Sequence, residues 1–230
     1  MGNPFTIDLQ ADTHLLFRID AFSVPLESRC EFEATMHRNL RFIAKLPGFV
    51  DHMAFEKSSG PTSFDIVTIA VWKSAEAIEA AGERVAEYYS GIGFDLSSML
   101  ARLGIIASLG YYRAPAALQS RSIDQENHMQ AVTVINHLTI KPGKIDELLE
   151  AQRSFAASLT SKPSGLLGSR TYRSLDGKSV VLVSQFESIR AQEEVRQAEA
   201  FKLHLKSLQS FVENSNPGLY EEVSTTGKFI

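Results

Sequence analysis

The chain has 230 residues and a single cysteine, Cys30, so no intrachain disulfide holds it together. A lone cysteine suits a reducing, cytoplasmic setting. Cys30 falls inside a helical pattern and reads as a small buried hydrophobe rather than a reactive thiol. No apolar run approaches the ~18 residues that a membrane helix needs. The first residues, MGNPFTIDLQAD, lack the basic and apolar regions of a signal peptide. Neither sign of charge dominates: 23 Lys and Arg stand against 27 Asp and Glu, a formal net charge of -4. Such a surface has little to attract nucleic acid or an anionic membrane. There is no G-x-G-x-x-G, Walker loop, HExxH, CxxC or G-x-S-x-G. The six histidines show no short metal-ligand spacing, so no structural metal is expected. What remains is a small neutral or weakly charged molecule as the natural ligand.

The chain contains instead a pattern that occurs twice. Hydrophobic residues are 44% and charged residues 22%, the composition of a packed core. HLLFRIDAFSVP, from His14, lines up with QAVTVINHLTIKP, from Gln130, which places Asp20 on Asn136. A helical stripe follows each: Phe32, Met36, Leu40, Ile43 and Leu46 in the first, Ile145, Leu148, Leu149, Gln152, Ala156 and Leu159 in the second. Each stripe meets a breaker, LPGF or KPSGLL, and then two strands joined by a turn at Gly60-Pro61 or Asp176-Gly177. The second turn is shorter, so Trp72 aligns with Phe186 and Ser74 with Ser188. A second helix, Glu76 to Tyr89 or Arg190 to Phe211 (broken near Ala200), and a last strand complete each unit.

Each unit therefore reads β-α-β-β-α-β, the ferredoxin-like split βαβ arrangement of an α+β protein. The expected organisation is a tail over 1–13, a first repeat over 14–113, a linker over 114–129, a second repeat over 130–224 and a tail over 225–230. One such repeat covers only one face of its sheet, so the two are expected to pack sheet on sheet as an internal pseudo-dimer. In the first strand Leu15, Phe17, Ile19 and Ala21 make a clean apolar row, expected to face the helices. Leu16, Arg18, Asp20 and Phe22 make a mixed row, expected to face a partly polar cavity between the sheets. The same reasoning turns Val67, Ile69 and Val71 to the helices and Trp72 to the cavity.

LPGF, then a hairpin, then VWKSAEA, together with INHLTIKPGKIDELLE in the second half, resembles the antibiotic biosynthesis monooxygenase family of dimeric α+β barrels. The resemblance covers both halves, and implies that two family repeats are fused into an intrachain barrel. It also implies one of three activities. Some members oxidise phenolic or quinol-type aromatics with O₂ and no bound cofactor; others bind and open haem; others have no known reaction. Asn136 resembles the first-strand asparagine of the haem-degrading branch, and His204 lies one position before its helical histidine. That branch's second-helix tryptophan has no match, since Ala81 and Val195 stand there.

Asn136, His52 and Asp20 are thus the candidate catalytic groups: an amide donor, a titrating imidazole and a carboxylate. Arg18, Trp72, Phe186, Arg170, Tyr172 and His204 are the candidate substrate contacts. Each also has a structural reading. Arg18 and Asp20 form an ion pair on one strand face, Trp72 and Phe186 pack a barrel end, and His204 sits among the surface lysines Lys202 and Lys206. The expected activity is cofactor-independent oxygenation of a phenolic, anthrone or quinol-type substrate, with a small aromatic molecule and O₂ as partners, in a pocket between the sheets. The alternatives are a non-catalytic binding or assembly module and a haem protein, with further homo-oligomer formation left open.

Overall fold

A computed structural model describes residues 14–115, 120–121, 131–159 and 165–223. The first repeat runs β1 (Leu16–Ser23), α1 (Arg29–Ile43), β2 (Phe49–Ser59), β3 (Ile66–Trp72), α2 (Ala75–Gly91), α3 (Leu96–Arg102) and β4 (Ile106–Arg113). A two-residue strand, β5 (Ser120–Arg121), lies in the linker. The second repeat runs β6 (Val132–Ile140), α4 (Ile145–Leu159), β7 (Leu166–Ser174), β8 (Ser179–Phe186), α5 (Ile189–Gln197), α6 (Glu199–Leu208) and β9 (Val212–Val223). Both β-α-β-β-α-β repeats are present. The last helix is broken near Ala200 as expected, at Ala198, whose ψ of 139° is extended. None of the helices among the described residues is long and apolar enough to cross a membrane.

The repeats open and close in register with one another. Gly48 and Gly165 both take positive φ where the chain enters β2 and β7. At each, a Cβ would lie 2.5 Å from an alanine Cβ, Ala77 or Ala191, in the first turn of the following helix. Only glycine allows that approach and that backbone. Ser74 and Ser188 then cap α2 and α5, their hydroxyls accepting the amides of Ala77 and Ala191 at 3.2 Å. The second breaker carries one residue more, Ser164, so β7 is shifted by one against β2. Phe55 and Tyr172 pair with Val67 and Val181, and Met53 and Arg170 with Ile69 and Val183.

One sheet joins the repeats, in the order β4-β1-β3-β2-β9-β6-β8-β7, and closes through β4 on β7. β2 pairs with β9 from Ala54↔Val223 to Ser59↔Leu219. β4 meets only the end of β7, at Tyr112↔Ser174 and Arg113↔Arg173. The linker strand β5 covers more of the same edge at Ser169 and Gly168. Each repeat alone would have two bare edges; joined, they form an eight-stranded barrel closed by a short β4–β7 seam.

The strand faces are the reverse of the sequence expectation. Leu15, Phe17, Ile19, Ala21, Val67, Ile69 and Val71 do not meet the helices. They pack inside the barrel with Ile135, Tyr172, Val181, Val183 and Tyr220 of the second repeat. The edge of Phe17 meets the Tyr172 ring at 5.0 Å, so the two repeats share one core. The mixed rows point to the helices instead. Phe22 and Ile66 pack with Phe32 of α1 and Met99 of α3. Trp72 packs with Ile43, Leu46, Phe49, Ala77 and Ala81, so it faces the helices and not a cavity between the sheets. Packed side chains occupy the middle of the barrel, where the sequence reading places a pocket between the sheets. Cys30 is exposed, not a buried hydrophobe. The tails, and most of the linker, lie outside the described residues.

Phe17→Ala should therefore destabilise the whole barrel, by about 3–5 kcal/mol. Urea unfolding should show one cooperative transition at a lower midpoint, with both repeats lost together. An independent, earlier transition of the first repeat alone would contradict a shared core.

Candidate functional site

Reversing the strand faces gathers the polar residues of the first repeat beneath its helices. The row of β1 that looks at the helix layer is Leu16, Arg18, Asp20 and Phe22. Apolar clusters seal its two ends, one around Phe22, Phe32 and Met99 and the other around Trp72, Leu46 and Ala81. Between them Arg18 and Asp20 form a polar strip, a slot of charge between two apolar ends, with Thr68 of β3 and Leu109 of β4 beside Asp20. α1 and the C-terminal end of α2 lie above it. Asn39 shares a hydrogen bond with the Tyr89 hydroxyl, which also feels the charges of Arg38 and Asp20. The rings of Phe42, Tyr88, Tyr89 and Phe94 run on as a wall, with successive centroids 4.1, 5.9 and 4.8 Å apart.

The strip is an ion pair with an unusual acid. Arg18 Nε lies 2.6 Å from Asp20 Oδ1, and the Arg18 guanidinium sits 4.5 Å over the Tyr111 ring. Burial pushes the Asp20 carboxyl up to about 6, although Arg18 and the Gly110 amide pull it down. Desolvation outweighs the salt bridge, as expected where helix, sheet and aromatic rings exclude water. The Tyr89 hydroxyl is raised by burial as well. On the β2 flank, burial and then the neighbouring His37 hold the His52 imidazole down to about 4. His52 is therefore neutral at physiological pH. The slot offers a carboxylate that can take a proton near neutrality, a fixed cation, a neutral imidazole and an aromatic wall.

The other predicted residues lie elsewhere. Asn136 is on the helix side of the second repeat, where its Oδ1 accepts the Ser215 hydroxyl and the Asn216 amide, both at 3.1 Å. Phe186 closes the end of that layer as Trp72 closes the first, pairing with Val132 and Leu166. Arg170 and Tyr172 do share a face, but it is the barrel interior, and both are buried. Burial pushes the Tyr172 phenol up to about 12. His204 is not on the surface: it is buried and stacks on Phe155 with centroids 4.1 Å apart. Burial pulls it down to about 4. Of the nine predicted residues, the structure brings together Arg18, Asp20 and His52, with Trp72 at the end of their layer.

Three slot residues had no place among the candidates: Arg38, Asn39 and Tyr89. Asn39 was legible. It falls three residues after Met36 and four before Ile43, a polar side chain on the buried stripe of α1. Tyr89 had no such signal among four neighbouring tyrosines. His137 was also passed over. It stands at one end of the barrel, its Nε2 3.3 Å from both Ser108 Oγ and Tyr112 Oη, beside a cavity of about 360 Å³. Among the described residues no group of three or more His, Cys, Asp and Glu could hold a metal ion.

The two layers are not equivalent. The alignment that sets Asp20 on Asn136 sets Arg18 on Val134, and the β2 and β7 pairings set His52 on Ser169. The second repeat has no ion pair at this place.

Residues 131–207 match the sequence model of the antibiotic biosynthesis monooxygenase family. No curated protein matches the chain. Among solved structures, an anthrone oxidase-like protein aligns over 95% of this chain and 96% of its own, with a TM-score of 0.67 and 19% identity. A candidate monooxygenase from Fusobacterium nucleatum subsp. nucleatum aligns over 92% and 94%, with a TM-score of 0.61 and 10% identity. A major regulator of staphylococcal pathogenesis aligns over 90% and 99%, with a TM-score of 0.53 and 10% identity. At these identities the likeness is one of fold.

The His52 assignment can be checked by NMR. Its folded pKa is depressed below the ordinary value of 6.5. Its contribution to stability is thus complete above pH 6.5 and is lost as pH falls toward 4. The imidazole should remain neutral at pH 5.5, and His52→Phe should flatten the acid limb of the stability curve. Ordinary titration of His52 near pH 6.5 would refute its burial.

Proposed function

We propose that the chain is a cofactor-independent monooxygenase: residues 131–207 match the sequence model of the antibiotic biosynthesis monooxygenase family, and the first repeat carries the polar slot. Its substrate is a phenolic, anthrone or quinol-type aromatic bound between the helices and sheet of the first repeat. The observation that carries this reading is the part-buried Arg18–Asp20 pair, with the Asp20 carboxyl pushed up to about 6 beside an aromatic wall. A general base works best when its pKa lies near the working pH.

The reaction balances without a further reductant. Asp20 takes a proton from an activated CH₂ of the substrate, or from its phenolic hydroxyl. The resulting anion is spread over the ring system and its oxygen, which Arg18 and the Tyr89 hydroxyl stabilise. The anion passes an electron to O₂, and the radical pair joins at carbon to give a peroxide anion. Asp20 returns its proton to form the hydroperoxide, which loses water and leaves a carbonyl. In sum, CH₂ and O₂ become C=O and H₂O. The protein supplies position, a dry enclosure and two charges. Val134 and Ser169 in place of Arg18 and His52 support one reacting site per chain rather than two.

In metal-free buffer the protein should accelerate O₂ uptake by 1,8-dihydroxyanthrone, one O₂ per molecule. Turnover per unit KM should rise with pH through about 6, the pKa of Asp20. Asp20→Asn should lower it by about 100-fold and remove that limb. Uptake no faster than the uncatalysed rate, across anthrone, quinol and phenol substrates, would rule the reading out.

A further inference from the structure

Beside the slot, between α1 and α3, a cavity of about 300 Å³ is lined by Thr35, Arg38, Phe94 and Met99, with Glu31, Asp95 and Arg102 at its rim. The rim charges are already engaged. Glu31 is held by Arg102 in a two-pronged pair. Asp95 caps α3 by accepting the Ser98 amide. Arg38 differs. Its guanidinium carbon lies over Phe94, 4.5 Å from the ring centre, and it takes part in none of the ion pairs among the described residues. Its Nε and Nη2 are closed off from solvent with no hydrogen-bond acceptor in reach. A half-buried guanidinium with unmet donors is costly unless an anion meets it, and its planar fork suits a carboxylate.

Tyr89 links this cavity to the reacting end of the slot, since its hydroxyl feels both Arg38 and Asp20. Arg18 is held by Asp20, whereas Arg38 has no acidic partner among the described residues and is free to recognise a second ligand charge. We propose that Arg38 is a specificity residue that binds a carboxylate carried by the aromatic substrate, on the part of the molecule away from the oxidised carbon. The substrate class is accordingly a polycyclic phenolic acid rather than a neutral anthrone. This rests on the oxygenase reading of the same slot.

The test is calorimetric binding of two product analogues, 4,5-dihydroxyanthraquinone-2-carboxylate and 1,8-dihydroxyanthraquinone, which differ by the carboxylate. The wild-type protein should bind the acid about ten-fold or more tightly than the neutral quinone. Arg38→Met and Arg38→Gln should erase that preference while still binding the neutral quinone. Arg84→Met, which removes the same charge from an exposed pair with Glu87, should keep it. The carboxamide of the acid, tested on unaltered protein, should bind like the neutral quinone, which keeps the test open if both Arg38 variants misfold. Equal binding of acid and neutral quinone would overturn the role of Arg38 and leave the oxygenase reading standing. A preference that survives in the Arg38 variants would do the same. Failure of all of these quinones to bind would overturn both.

Discussion

Closure of the sheet is the constraint on which everything else depends. Each repeat exposes two strand edges and one bare sheet face, and neither can be left to water. Pairing β2 with β9 and β4 with β7 joins the edges and turns both bare faces inward on each other. Phe17, Ile19, Phe55, Ile69, Tyr172 and Val183 then share one dry interior. Their side chains pack against one another through the middle of the barrel. The polar residues of the first repeat lie outward instead, in the layer between sheet and helices, with a strand below them and a pair of helices above.

That placement also explains which features were readable in the sequence. The repeat, the hairpins, the alignment of Ser74 with Ser188 and the fused barrel follow from spacing and turn chemistry, and the structure has all of them. The strand faces did not follow, because period-two alternation identifies two rows without saying which one is inside. In a barrel covered by helices both rows are buried: all seven residues of β3 are. The cleaner apolar row of β1 belongs to the barrel interior, the driest place in the molecule, and the mixed row to the helix layer. Arg18 and Asp20 were recognised as a pair on one face, and His52 as a titrating neighbour, yet all three were assigned to the wrong side of the sheet. Trp72 and Phe186 went with them.

What the sequence could not reveal was the roof. Arg38, Asn39 and Tyr89 come to the polar strip only through the way α1 and α2 lie on the sheet, and no local pattern encodes that crossing. Asn39, inside an apolar stripe, was the one exception. The inserted residue before β7 is similarly quiet in sequence. It moves that strand by one position, and the pairing of Tyr172 with Phe17 in the barrel is the result. Internal symmetry is therefore exact enough to build the barrel, yet loose enough to give the two helix layers different contents. One has an ion pair, a neutral histidine and a wall of rings. The other has Val134, Ser169 and an Asn136 occupied by its neighbouring strand.

The central claim is one of place: a planar aromatic ligand binds between the helices and sheet of the first repeat. A crystal structure of the protein soaked with 1,8-dihydroxyanthraquinone tests it most directly. The account predicts density over Arg18 and Asp20, bounded by Tyr89 and Phe94. Density inside the barrel, or only in the helix layer of the second repeat, would contradict it.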